Sequence, residues 1–350
     1  MTTLVRKHFD AQGKSCERLF SPVTARLLRL AAVRLDDTTP FTAAILAWPD
    51  ERMKDDALAL RFAGALHALV LSGQAPALAA IYPPHPMPAA DDAFWAVVMA
   101  AIRAHGPFLL DFLDHPPQTN ETGRSAVLML GFQEVARRTG LPLAMFEIGA
   151  SAGLNMNWDA FAYDYAGATW GPADSPVRLV PEWRGATPPD LVSVTVAGRM
   201  ACDRNPLDLT DTAERLRLRS YVWPDQPDRL ARLDGAIGIA LARGHVPVRA
   251  DAADWAEANL PAPRPGATRV VYHSIFWQYL PRAIQARLVA CFETTGAAAP
   301  ADSPFAWVRM EPDPDDIWRA RLSVRIWPDG TERVLAHCDY HGRWIAPATA

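Results

Sequence analysis

Leu143-Ala144-Met145-Phe146-Glu147-Ile148-Gly149-Ala150-Ser151-Ala152-Gly153-Leu154-Asn155 is the stretch that decides how this chain is read. A mostly apolar run of strand length passes directly into a turn of small residues, and a helix is expected beyond it over 153–161. Without bulky side chains the turn lets a ligand come close to the backbone, and the helix N-terminus behind it offers N–H groups. Glycine also occurs at such turns for packing alone. The flanking segments therefore carry the decision.

Downstream of Gly140 short apolar runs alternate with helical stretches, the pattern of βαβ units on a largely parallel sheet. Strands are expected at 143–148, 192–201, 246–250, 269–273 and 305–310, and helices at 153–161, 210–220, 228–243 and 281–294. Residues 321–327 and 333–339, around Pro328-Asp329-Gly330, have the form of an antiparallel hairpin closing on an Asp-Gly turn. Upstream the texture is helical. Ser21-Pro22 reads as an N-cap with proline at the first helical position, leading into 23–35, and 55–72 and 91–104 repeat that character. Thr119 or Asn120 is placed to cap a helix running to Arg138, which Gly140 ends. The expected organisation is a helical lobe over 1–140, then a sheet domain over 141–350 with an insertion around 163–189 rich in proline, glycine and tryptophan.

Half of the 350 residues are hydrophobic and 12 are tryptophan, so a well-packed core is expected. A net charge of -4 gives no general attraction for nucleic acid or anionic lipid, and a small molecule is the expected partner. The alternating Arg215, Arg217 and Arg219 read as one solvated helix face. Cys16, Cys202, Cys291 and Cys338 are widely spaced and suggest neither a disulfide framework nor a zinc site. Residues 1–16 lack an apolar core of the secretory kind, and 62–81 is interrupted by His67, Gly73, Gln74 and Pro76, so a cytoplasmic location without a membrane span is expected.

Four segments, in order, resemble the successive motifs of class I S-adenosylmethionine-dependent methyltransferases. Glu147-Ile148-Gly149-Ala150-Ser151-Ala152-Gly153 resembles the first, acidic-x-Gly-x-Gly-x-Gly, with Ser151 at the middle glycine. Met200-Ala201-Cys202-Asp203 resembles the end of the second strand, Arg249-Ala250-Asp251 the third, and Val270-Val271-Tyr272-His273 the fourth. The resemblance implies an α/β fold with a Rossmann-like, methyltransferase-type mixed sheet, and S-adenosylmethionine as cofactor. It assigns Glu147, Gly149, Ser151, Gly153 and Asn155 to the cofactor loop, Asp203 to the ribose hydroxyls and Asp251 to the adenine side. Arg124 would meet the methionine carboxylate, while Tyr272 and His273 would face the transferred methyl group, with His273 as base for an oxygen nucleophile. Two features depart from the pattern: Gly153 and Asp203 lie farther apart than the usual spacing of about 20 residues, and no Asp/Asn-Pro-Pro-Tyr follows the fourth strand. The chain also resembles, across nearly its full length, a conserved bacterial family of unassigned activity, through Gln118–Ala126, Glu147–Asn155, Asp203–Pro206, Tyr221–Gln226 and His273-Ser274.

Two other classes of function remain open. Gly149-Ala150-Ser151-Ala152-Gly153 also satisfies G-x-S-x-G, the nucleophile elbow of a serine esterase, with Asp251 or Asp254 and His273 or His337 following in triad order. The helical lobe ahead of the elbow fits that fold poorly. A non-catalytic adenosyl-binding or scaffold protein is the third reading. His337, Asp339 and His341 alternate as metal ligands on a strand would, but an exposed hairpin face gives the same pattern and no metal is expected.

Overall fold

Proline, glycine and charge at the element ends delimit the helices. Pro22–Arg34 starts with proline in its first turn, Asp91–Ala104 has two acids in its first turn and Arg103 in its last, and Arg124–Thr139 stops at Gly140, whose φ of 66° is left-handed. The computed structural model describes residues 3–348. The chain divides into two compact units: one runs to Thr119 and takes back Thr210–Ala231, and the other comprises Asn120–Leu209 and Arg232 onward.

The first unit is helical, with Thr3–Arg18, Pro22–Arg34, Pro40–Leu46, Leu58–Leu71, Asp91–Ala104, Gly106–Leu113 and Thr212–Ser220 as its main elements. Phe9, Leu28, Phe41, Phe62, Leu66, Phe94, Phe112 and Tyr221 are buried in its own core. Among the described residues no single helix is long and apolar enough to cross a membrane.

The second unit carries the strands, in chain order β1 (Leu143–Ile148), β2 (Ala162–Tyr165), β3 (Ala168–Trp170), β4 (Arg178–Leu179), β5 (Glu182–Trp183), β6 (Val196–Asp203), β7 (Val248–Arg249), β8 (Thr268–Ser274), β9 (Phe305–Asp313), β10 (Asp316–Ile326), β11 (Glu332–Cys338) and β12 (Trp344–Pro347). Nine of them form a mixed sheet in the order β5-β12-β11-β10-β9-β8-β1-β6-β7. β7, β6, β1, β8 and β9 run parallel, and β9 to β12 are antiparallel. The chain therefore builds outward from β1 through β6 to β7, then crosses back to β8 on the other side of β1. At that reversal the loops leaving adjacent strands part, which opens a crevice outside their carboxyl ends.

β1 is buried along its whole length, and successive residues face opposite layers. Ala144, Phe146 and Ile148 pack with Trp255, Leu288 and Phe292 beneath Ala252–Asn259 and Arg282–Ala297. Glu147 and its register partner Tyr272 share the other face, where Phe132 of Arg124–Thr139 meets the Tyr272 ring edge-on. That helix belongs with the sheet, so the helical unit ends at Thr119 rather than at Gly140.

Three local features differ from the sequence expectation. The stretch after the small-residue turn is a 3₁₀ segment, Leu154–Ala160, with Asn157 outside helical dihedrals. Its asparagines bind elsewhere instead of capping an α-helix: Asn155 accepts from the Ser125 hydroxyl and donates to the Glu121 carbonyl. Arg124–Thr139 is preceded by Gly123 at its cap, while the Asn120 side-chain Oδ1 accepts from the Leu154 N–H. β6 starts at Val196 because both backbone groups of Val192 are taken by the Gln133 side-chain amide. The 163–189 insertion forms a small sheet, β3-β2-β4, and contributes β5 to the edge of the large one.

Candidate functional site

The small-residue turn leaves β1 at the reversal point and is fastened to the end of β6. Ala150 N–H donates to the Cys202 carbonyl at 3.1 Å, and Ser151 N–H donates to Asp203 Oδ2 at 2.8 Å. Asp203 Oδ1 accepts a second bond from the Asn205 N–H at 2.8 Å. A carboxylate has about four acceptor positions, so two remain on a half-buried side chain beside the turn. Gly149, Ser151 and Gly153 all have positive φ, of 69°, 54° and 71°. The glycines adopt this at no steric cost, whereas Ser151 is in a conformation uncommon for a side-chain-bearing residue. Its hydroxyl is buried without a hydrogen-bond partner among the described residues.

Glu147 is 3% exposed and accepts from the Tyr272 hydroxyl at 3.1 Å. Burial pushes its carboxyl up to about 8, the Tyr272 hydrogen bond opposes this, and the Asp203 charge reinforces it. Burial likewise raises Tyr272 well above the ordinary phenol range, with Glu147 adding to it. His273, the next residue, points into the opposite layer. It is fully buried, with Nδ1 2.6 Å from Glu311 Oε1 and Nε2 3.0 Å from the Trp307 indole N–H. An indole N–H only donates, so Nε2 accepts and the proton sits on Nδ1, facing Glu311. Tyr272 and His273 are thus divided by the sheet, and neither ring nitrogen of His273 is left to act on a ligand at the turn.

The other expected site residues have structural partners. Asp251 is the N-cap of Ala252–Asn259, accepting from the N–H groups of Ala253 and Asp254. The Arg124 guanidinium donates to the backbone carbonyls of Ser274 and Tyr340, which keeps it beside the carboxyl end of β8. Asn155 is buried behind the turn. Glu147, Ser151 and Asp203 are brought together, Arg124 stands at the neighbouring strand end, and His273 and Tyr272 lie inside the two packed layers. His337 Nδ1 is 3.0 Å from Asp313, and Asp339 binds Arg343; no group of three or more ligand-type side chains able to hold a metal occurs among the described residues.

Two residues that the sequence did not single out dominate the crevice. Phe276 lies with its ring directly on Gly149, where a Cβ would come within 2.5 Å of ring Cγ and 2.6 Å of Cε2. Glycine at 149 is therefore required twice, by φ and by this contact. The ring is aimed there by Ile275, a β-branched residue at φ 48°, a backbone state such side chains rarely adopt. Glu311 holds the turn in place, its Oε1 accepting from the N–H groups of Phe276 and Trp277 at 3.0 and 3.2 Å as well as facing His273. Only the pairing of β8 with β9 creates this clamp, so no local sequence pattern announces it.

No curated protein and no solved structure matched the chain. A family profile matched residues 6–346, nearly the whole sequence. The chain belongs to that family, described as uncharacterized protein conserved in bacteria, DUF2332.

Proposed function

We propose that the protein is an S-adenosylmethionine-dependent methyltransferase acting on a small molecule. The observation that carries this is the Asp203 carboxylate bonded to the Ser151 amide, at the carboxyl edge of five parallel strands whose chain order, third-second-first-fourth-fifth, matches five of the six positions of the doubly wound 3-2-1-4-5-6 order. The adenosine end of the cofactor fits the residues present: the two remaining acceptor positions of Asp203 would take the ribose hydroxyls, and the backbone of Gly149–Gly153 would lie against the nucleoside. The methionine end fits once the Phe276 ring swings off Gly149, because that ring fills the approach to the turn. Arg124, anchored beside Ser274, stands where it would orient the amino-acid carboxylate.

When bound, the cofactor supplies a methyl group already activated by its sulfonium. The protein's part is then to position the acceptor and exclude water. His273 is enclosed and serves to hold the Glu311 turn, so an acceptor that needs little help with proton removal is favoured. The esterase reading loses both of its candidate bases, since the ring nitrogens of His273 are engaged by Glu311 and Trp307, and His337 is on β11, separated from β1 and its Ser151 turn by β10, β9 and β8.

Titration calorimetry with S-adenosylmethionine and S-adenosylhomocysteine tests the proposal. Wild type should bind both, Asp203→Asn should weaken binding about tenfold or more through a lost charge-assisted hydrogen bond, and Phe276→Ala should bind more tightly than wild type. Absence of binding to both wild type and Phe276→Ala, each shown folded by circular dichroism, overturns it. Binding without methyl transfer to any amine, thiol or hydroxyl acceptor in a small-molecule panel selects the non-catalytic adenosyl-binding reading.

A further inference from the structure

A second concavity lies on the face of β1 and β6 nearer their amino ends, away from the turn at 149–153. It encloses about 430 Å³ and is lined by Ala144, Phe146, Gly198, Met200, Arg264 and Pro265 among others, a volume within the range of small-molecule sites. Small residues keep it open. Gly198 is the informative one: its φ is not in the left-handed region, and a Cβ there would meet nothing within 4 Å. Neither backbone conformation nor packing calls for glycine at 198, and glycine inside a strand weakens it. The register shift between Leu143 and Ala144 leaves Ala197, beside Gly198, unmatched at the same point. β7 pairs only with Cys202 and Asp203, so the outer edge of β6 beside the groove has no neighbouring strand.

The wall is apolar except for its arginines. Arg199 is held by Asp159 through bonds of 2.7 and 2.9 Å, which neutralises it. Arg264 has no such partner: among the described contacts its guanidinium lies 5.9 Å from the Phe146 ring centre and 3.8 Å from the Met200 sulfur, a weak acceptor. The backbone beneath it is fixed, with Arg264 N–H donating to the Ser303 hydroxyl at 2.7 Å and Gly266 N–H to the Asp302 carbonyl at 2.8 Å. A positioned cation with donors to spare, laid over an aromatic and thioether floor, matches one kind of ligand.

We propose that this groove binds a small amphiphilic anion, its apolar body on Phe146, Met200 and Pro265 and its carboxylate or sulfonate on the Arg264 guanidinium. The site is independent of the adenosyl reading. Anilinonaphthalene sulfonate fluorescence, with dodecanoate as competitor, provides the test on the full chain. Wild type should show one saturable site that dodecanoate displaces, Arg264→Glu should weaken it at least tenfold, Arg264→Lys should keep part of it, and Gly198→Phe should close it. Arg264 is exposed, so its variants do not threaten folding and decide the matter even where Gly198→Phe fails to fold. Unsaturable binding to wild type, or undiminished binding to folded Arg264→Glu, overturns the proposal.

Discussion

Glu147 is held between two opposing demands, a place inside the sheet's packed layer and a charge that belongs in water. Its ordinary value of 4.5 rises to about 8 on burial, so between those limits the folded chain keeps a proton that the unfolded chain releases. Stability must then fall as pH rises through that window and level off above it, the reverse of the behaviour of a salt-bridged carboxylate. Glu147→Gln removes the titration while keeping a side chain that can accept from Tyr272. Urea-melt midpoints measured from pH 5 to pH 8 should decline less steeply for Glu147→Gln than for wild type. Parallel declines would show that Glu147 holds no such proton. Glu147 is thus legible in the sequence as an acid at a strand end, whereas its enclosure is not, because Tyr272 reaches it from a strand more than a hundred residues later.

At the scale of the elements, Arg124–Thr139 shows how a helix is fitted to a sheet. Gly131 costs the helix about 1 kcal/mol relative to alanine by propensity, yet a Cβ there would stand 2.5 Å from Val308 Cγ1 and 3.4 Å from Leu322 Cδ1, on two paired strands. Overpacking of that kind typically costs about 1–3 kcal/mol, and strands in mid-sheet have little room to yield, so sterics outweigh propensity. Gly131→Ala should destabilise by about 1–2 kcal/mol in chemical denaturation; a neutral or stabilised variant would mean that the helix can lift off β9 without penalty. The strand periodicity of β1, β8 and β9 and the Asp-Gly hairpin were readable because each is encoded within a few neighbouring residues. The 3₁₀ segment, the late start of β6 and the Phe276 plug were not, since each depends on a side chain delivered from elsewhere: Asn120 to Leu154, Gln133 to Val192, Glu311 to Phe276. The same distinction separates the candidate site residues. The turn and Asp203 follow from local pattern, but the diversion of His273 into the Trp307 layer is a property of the assembled sheet.

Across the whole molecule, the two compact units carry separate cores, one around Phe41, Phe62 and Phe112 and the other around Phe146, Trp255 and Trp307. The small-residue turn and Asp203 both belong to the second unit, as does Gly131. A ligand that binds only the folded state stabilises the unit that holds it by about 2.7 kcal/mol at a hundredfold excess over its dissociation constant. Scanning calorimetry should accordingly resolve two transitions, because each unit has its own apolar core to lose. Gly131→Ala should lower one of them, which identifies it as the sheet unit, and saturating S-adenosylhomocysteine should raise that same transition while leaving the other in place. A single transition shifted by both perturbations would show that the units unfold as one body. If the ligand instead raised only the transition that Gly131→Ala leaves alone, the binding site would belong to the helical unit, and the assignment of Asp203 to the ribose would fall.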